Sequence, residues 1–224
     1  MFAYCNNNPI GNADSEGGRP YNVGMTDGPG HDPTKPNPIR SCKEGVGTGP
    51  ITTGFVNGQG REEYQDVTFG VFSFAKNGCG AAGAHNSLLL TGHKSTLRDV
   101  LYFFEARRPL STRVFGIYPW EFAGFYDYHR VSYTRTNNLN ALQEHVSSGG
   151  TVLITFWNEE WTPFGISTGA PYLFSGAHTV AIQGVGGTCF VYNASNFGAI
   201  AKRVMSIADY IEGGVLISGY CLYN

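Results

Sequence analysis

Ala177-His178-Thr179-Val180-Ala181-Ile182-Gln183-Gly184-Val185-Gly186-Gly187-Thr188-Cys189-Phe190-Val191-Tyr192-Asn193 reads as two strands joined by a glycine pair. β-branched and aromatic residues dominate both arms, and two glycines supply the positive φ that a tight two-residue hairpin requires. With Gly186-Gly187 as the turn, Val185 faces Thr188, Val180 faces Asn193 and His178 faces Ser195. His178 and Asn193 then share a sheet face one diagonal step apart, about 7–8 Å between backbones. Asn196 has the opposite parity. A turn one residue longer would undo the assignment.

Working outward, Thr151-Val152-Leu153-Ile154-Thr155-Phe156-Trp157 and Val215 to Leu222 are further strand-like runs, with a short capped helix opened by Ser206-Ile207-Ala208-Asp209 between the hairpin and the last of them. Before Gly150 the period is helical. A helix is expected from about Gly80 to Thr91, with Gly92 as its stop. Thr96-Leu97-Arg98-Asp99 is a capping box, and Leu97, Val100, Leu101 and Phe104 follow at the spacing of one buried helix face, with Pro109 as terminator. An aromatic helix over Pro119 to Tyr128 anchored by Trp120 and Phe125, a strand over Val131 to Thr134, and a helix over Asn138 to Ser148 complete this part. A short strand over Thr68 to Phe74 precedes it. Helices first and an antiparallel sheet second make an α+β chain with a helical and a sheet lobe.

The chain has 224 residues, 42% hydrophobic and 14% charged, enough for one sizeable core. A net charge of -2 offers no basic field for nucleic acid. No run approaches the roughly 20 apolar residues of a membrane span, and no signal-peptide order opens the chain. The five cysteines, at 5, 42, 79, 189 and 221, form no CxxC and no zinc-like spacing, so neither metal nor cofactor is expected, and their odd number favours a reduced setting. A monomer is expected. Seven of the eleven prolines lie before residue 51, in a stretch rich in Gly, Asn and Asp without apolar period, read as a linker or a strap over the domain behind it.

Reactive chemistry concentrates at Asn77-Gly78-Cys79-Gly80-Ala81-Ala82-Gly83-Ala84. A helix N-terminus stabilises a thiolate through its dipole and its unpaired N–H groups. Gly78 and Gly80 permit a tight turn beside the sulfur, and the small residues after them leave the first turn open to a substrate. A buried, inert cysteine packed among small residues has the same local look. His178 and Asn193 tip the balance: the imidazole draws the thiol proton, attack on a carbonyl gives a thioester, and the carboxamide holds the ring in its productive tautomer. The Cys79 backbone N–H is one oxyanion donor. Trp157, Trp161 and Phe164 lie where they would wall a cleft. His85 points away from the thiol, and His31, His93, His129 and His145 read as surface residues.

Taken together, Asn77-Gly78-Cys79-Gly80 before an Ala-rich helix ending Asn86-Ser87-Leu88-Leu89-Leu90, then Gly176-Ala177-His178-Thr179-Val180-Ala181-Ile182 and Val191-Tyr192-Asn193, resemble the papain-like cysteine peptidases, near their bacteriocin-processing branch. The resemblance implies a two-lobe fold over residues 61–224, a Cys79/His178/Asn193 centre, and a cleft at Gly78, Gly80, Trp157, Trp161 and Ala177. Members carry an oxyanion glutamine six residues before the cysteine, where this chain has Ser73. Asn77 or Gln65 takes that part, or oxyanion support is weaker; Asn77 is otherwise a turn residue accepting positive φ.

Residues 1–17, with Phe2-Ala3-Tyr4-Cys5-Asn6-Asn7-Asn8-Pro9 and Asp14-Ser15-Glu16-Gly17, resemble the end of an Rhs/YD-repeat core, Ser15 standing where the family has proline and leaving self-cleavage there open. In those polymorphic toxins the domain after the motif is the cargo. That resemblance implies export within a larger toxin, action on a protein substrate in the target-cell cytoplasm, and a cognate immunity protein, with residues 18–60 as the connecting segment. A catalytically inactive papain-like module, serving binding or spacing, is the alternative.

Overall fold

A computed structural model of the protein describes residues 53–70, 72–107, 116–157, 177–195 and 197–224. The Rhs-like motif, His31, Pro109, Trp161, Phe164 and Asn196 lie outside them. The chain is α+β, and among the described residues every strand pairing is antiparallel. A 3-10 turn (Glu62–Tyr64) leads into a two-stranded hairpin, β1 (Thr68–Phe69) and β2 (Phe72–Ser73). This corrects the single strand expected over Thr68 to Phe74: Gly70 turns the chain with φ +66°, and Phe74 already begins a helix.

That helix, α1 (Phe74–Asn77), runs almost directly into α2 (Cys79–Leu90). Then come α3 (Leu97–Ala106), α4 (Glu121–His129), β3 (Ser132–Thr136), α5 (Leu139–Ser147), β4 (Thr151–Trp157), β5 (Ala177–Val185), β6 (Thr188–Tyr192), β7 (Lys202–Val204), α6 (Ile207–Tyr210) and β8 (Val215–Tyr223). Local signals set several of these ends. Thr96 Oγ1 accepts from the Asp99 N–H at 3.1 Å, Asn138 Oδ1 from the Asn140 N–H at 2.9 Å, and Ser206 Oγ from the Asp209 N–H at 3.0 Å. β7 had no apolar alternation to announce it, since Lys-Arg-Val sits on the sheet edge.

The main sheet has the order β3-β8-β4-β5-β6-β7. Gly186 and Gly187, at φ +57° and +79°, make the two-residue turn, and Val185 pairs with Thr188. The ladder stops at Ala181 and Tyr192, short of the expected pairs of Val180 with Asn193 and His178 with Ser195. Asn193 leaves the strand with φ +59°, so residues 177–180 of β5 have no β6 partner.

Helices cover both sheet faces. Leu153, Ala181, Tyr220 and Leu222 pack in one core with Ala81, Ala82 and Leu88 of α2, Val100 and Phe104 of α3, and Phe122 and Phe125 of α4. Val152, Ile154, Phe156, Val180 and Ile182 pack in the other with Leu142 and Val146 of α5 and with Ile207 and Ile211. This double covering explains why β4 reads as an unbroken apolar run rather than an alternating one.

Candidate active site

α2 is buried from Gly80 to Leu88, on every side of the helix. Its small residues are therefore packing residues. A methyl on Gly80 would lie 2.8 Å from Ile117 Cβ, one on Gly83 would lie 2.9 Å from Leu153 Cδ1, and one on Gly78 would run into the Phe74 ring. Gly78 and Gly80, expected at the cleft, are both buried. They bring the first turn of α2 hard against its neighbours and the sheet.

Close approach carries Cys79, the first residue of α2, to β5 beyond the end of its pairing with β6. Its half-buried sulfur is met by three backbone N–H groups: those of Cys79 and Gly80 at the helix start and that of Thr179. The Thr179 N–H belongs to the peptide that joins it to His178. Burial pushes the thiol up from its ordinary pKa, and the three N–H groups pull it part of the way back. The Tyr210 phenol lies within electrostatic range of the sulfur, is raised chiefly by its own burial and then by the neighbouring Cys79, and donates to the Ala194 carbonyl at 3.1 Å.

His178 leaves β5 on the face of Phe156 and Val180, opposite to the Thr179 face on which α2 lies. The thiol thus meets β5 at the Thr179 main-chain N–H, past the point where the β6 ladder ends. The imidazole packs edge-to-face on Phe156, which packs in turn on Tyr210. Its Nε2 lies 3.0 Å from the Asn193 main-chain oxygen. A carbonyl only accepts, so Nε2 carries the hydrogen and Nδ1 is the basic nitrogen. Burial lowers the His178 pKa to about 4, and the Asn193 carbonyl works weakly against it. Burial thus disfavours the charged form of both groups and works against a thiolate–imidazolium pair.

Asn193 is brought to His178, but its carboxamide serves elsewhere. Oδ1 accepts from the N–H groups of Gly58 and Gln59, each at 3.1 Å, and Nδ2 donates to Gln59 Oε1 at 2.8 Å. The diagonal placement expected from hairpin parity does not apply to a residue that has already left the ladder.

The two oxyanion candidates lie on the elements before α2. Gln65 is exposed at the end of the 3-10 turn. Asn77 is half-buried in α1 with helical backbone; among the described residues the non-glycine positions with positive φ are Arg130 and Asn193, so its reading as a positive-φ turn residue is overturned. Trp157 and Ala177 face each other across β4 and β5 at the strand ends, Trp157 half-buried and Ala177 exposed, two residues beyond the Thr155–Thr179 pair. They flank the thiol end of the sheet.

Family models, curated proteins and solved structures were compared with the chain, and none of them matches. What else belongs to the site comes from its own geometry.

Gln59 is the residue that sequence reasoning missed. It is buried, and its Nε2 donates to the carbonyls of Phe74 at 3.3 Å and Ala75 at 2.9 Å. It stands in residues 53–60, the described end of the 18–60 segment expected as linker or strap; this end, called the strap below, is hydrogen-bonded to α2. Asn86 accepts from the Val56 N–H and donates to the Val56 carbonyl, both at 2.8 Å, and His85 Nε2 donates to the Gly54 carbonyl at 2.8 Å. Asn57 Oδ1 accepts from the Asn193 N–H at 3.0 Å. His85, completely buried, is thus a strut of this strap. The surface reading of His129 and His145 is corrected too: both are half-buried, His129 against the Phe125 ring and His145 bonded to the Leu222 carbonyl.

Among the described residues no cluster of three His, Cys, Asp or Glu side chains could hold a metal ion, and no helix is long and apolar enough to cross a membrane.

Proposed function

We propose that residues 61–224, completed by the strap, form a papain-like thiol hydrolase that acts on protein amides through Cys79 and His178. The observation that carries the reading is the Cys79 sulfur at a helix start, facing three backbone N–H groups, one of them on the peptide that follows His178.

In this reading His178 Nδ1 takes the thiol proton as the sulfur adds to the substrate carbonyl. The tetrahedral oxyanion is met by the Cys79 N–H and by the Thr179 N–H, which takes the part of the missing glutamine. Collapse breaks the C–N bond, the imidazolium protonates the departing amine, and a thioester remains. Water, deprotonated by the same nitrogen, then releases the acid and the free thiol; an amine in its place gives acyl transfer. Peptide cleavage and glutamine deamidation share this route. Trp157 and Ala177 flank the entry.

The Rhs-like segment at residues 1–17 supports a biological setting: a toxin exported at the end of a repeat shell, active in the cytoplasm of a target cell and neutralised there by a cognate immunity protein. A second reading has an observation of its own. Burial holds the thiol protonated and the imidazole neutral, which also suits an inactive binding module.

Production of the chain inside bacteria separates the two. Growth arrest by the wild type, lost in both Cys79→Ala and His178→Ala, is the expected outcome, and mass spectrometry of the arrested cells distinguishes new peptide termini from the mass gain of deamidation. Equal growth with all three proteins overturns the hydrolase reading.

A further inference from the structure

The Gln59 side chain touches both halves of the site at once. Its two Nε2 hydrogens go to the carbonyls of Phe74 and Ala75, in the helical turn that delivers Cys79. Its Oε1 accepts from Asn193 Nδ2, while the Gly58 and Gln59 N–H groups bind Asn193 Oδ1. Asn193 is the residue whose main-chain carbonyl fixes the His178 tautomer. From these contacts we infer that Gln59 is a positioning residue for the Cys79/His178 pair, a buried amide that ties the approach to the nucleophile to the anchor of the base.

Geometry and accounting favour this over simple packing. Both donor hydrogens and an acceptor lone pair of Gln59 are used, and every partner is main chain or the Asn193 carboxamide, so the side chain leaves no slack. Asn193 needs such a hold. It sits at φ +59°, a conformation that costs an asparagine free energy, and in that conformation its carbonyl lies 3.0 Å from Nε2. Without Gln59, the turn relaxes and the α1 carbonyls lose their link to it. Cys79 and His178 stay in the fold but are no longer held in register. The strap thereby becomes part of the active centre, and a domain begun at residue 61 would lack it.

This inference rests on Cys79 and His178 being the reacting pair, and its test needs no substrate. In the full chain the rate of Cys79 alkylation by iodoacetamide is measured at pH 7 in four proteins: wild type, His178→Gln, Gln59→Ala and the double variant. General-base assistance is worth at least about tenfold where base and thiol are aligned. His178→Gln is therefore expected to slow alkylation by that factor in the wild type, and by less than about twofold in the Gln59→Ala background. In parallel, 15N-histidine spectra should show the Nε2–H tautomer of His178 in the wild type and a mixture of tautomers in Gln59→Ala.

A folded Gln59→Ala chain with an unchanged His178 effect and an unchanged tautomer reduces Gln59 to a packing residue. If that variant does not fold, the wild type decides: both Gln59 Nε2 hydrogens must exchange far more slowly than those of an exposed glutamine, and exchange at the exposed rate overturns the bridge. Since none of these readouts involves turnover, a protein that hydrolyses nothing would sink the hydrolase reading and leave this one to its own result.

Discussion

His178 gives its Nε2 hydrogen to the main-chain oxygen of Asn193, 3.0 Å away, while the Asn193 carboxamide is engaged by Gly58 and Gln59. The side chain of Asn193 therefore acts one step back from the imidazole, by holding a left-handed turn that aims a carbonyl. Two costs separate on substitution. Asn193→Gly strands the N–H groups of Gly58 and Gln59 but accepts φ +59° freely, and should lose about 2–3 kcal/mol. Asn193→Ala adds the left-handed penalty of a Cβ, about 1 kcal/mol more. Urea denaturation of the three proteins measures both steps. An alanine variant as stable as the glycine variant would remove backbone strain from the account.

Burial holds His178 neutral down to about pH 4, whereas an unfolded histidine takes up its proton near pH 6.5. Between those values the unfolded chain binds the extra proton, so stability is full above about pH 6.5 and falls as the pH drops toward 4. The His178 share amounts to about 3 kcal/mol across the window, or about 1.4 kcal/mol per pH unit. His129, also lowered to about 4 but half-exposed, adds a smaller share of the same sign. His178→Gln should flatten the plot of unfolding free energy against pH by one proton's worth. An unchanged slope would mean that the imidazole is hydrated.

Cys79 carries the complementary expectation. Its thiol is raised by burial, so alkylation by iodoacetamide should climb with pH through and beyond the ordinary thiol range. A preformed thiolate–imidazolium pair would instead give a plateau from acid pH. The pH–rate profile of the wild type decides, and a plateau below pH 6 would restore the ion pair.

Much of this arrangement was legible where the governing interactions are local. The glycine pair 186–187 admits the turn it makes, and the Thr96–Asp99 and Ser206–Asp209 boxes place helix starts from side chains three residues apart. Thr151 to Trp157 stood out as a strand because both of its faces are covered. Long-range contacts were not legible. Gln59 lies between glycines in a polar segment, and its partner Asn193 is 134 positions away. The roles of His85 and Asn86 depend on a strap without period of its own. Asn193 does lie beside His178, but parity is not the reason: alternation holds only while a residue stays in the ladder, and Asn193 has left it and meets the imidazole through its main-chain oxygen.

Gly80→Ala tests the reading of the small residues as packing residues. Alanine raises helix propensity by about 1 kcal/mol, but its methyl would lie 2.8 Å from Ile117 Cβ, an atom fixed to the backbone. Overpacking of this kind costs about 1–3 kcal/mol, so the variant should be less stable than the wild type, despite the better helix former. Thermal or urea unfolding measures the sign. A stabilised variant would show that the Gly116–Tyr118 segment yields easily and that Gly80 is kept for access to the sulfur.

Asn86→Ala addresses the strap from its other end. The substitution leaves the Val56 N–H and carbonyl buried without their partner, at about 1–3 kcal/mol for each group. Because Val56 is followed within three residues by Gln59, loosening there should reach the Asn193 turn. Two consequences are expected together: faster proteolytic cleavage within residues 53–60, and loss of the His178-dependent part of Cys79 alkylation. Cleavage without any change in alkylation would confine Asn86 to anchoring the strap and would place the hold on the active centre in the Gln59 contacts alone.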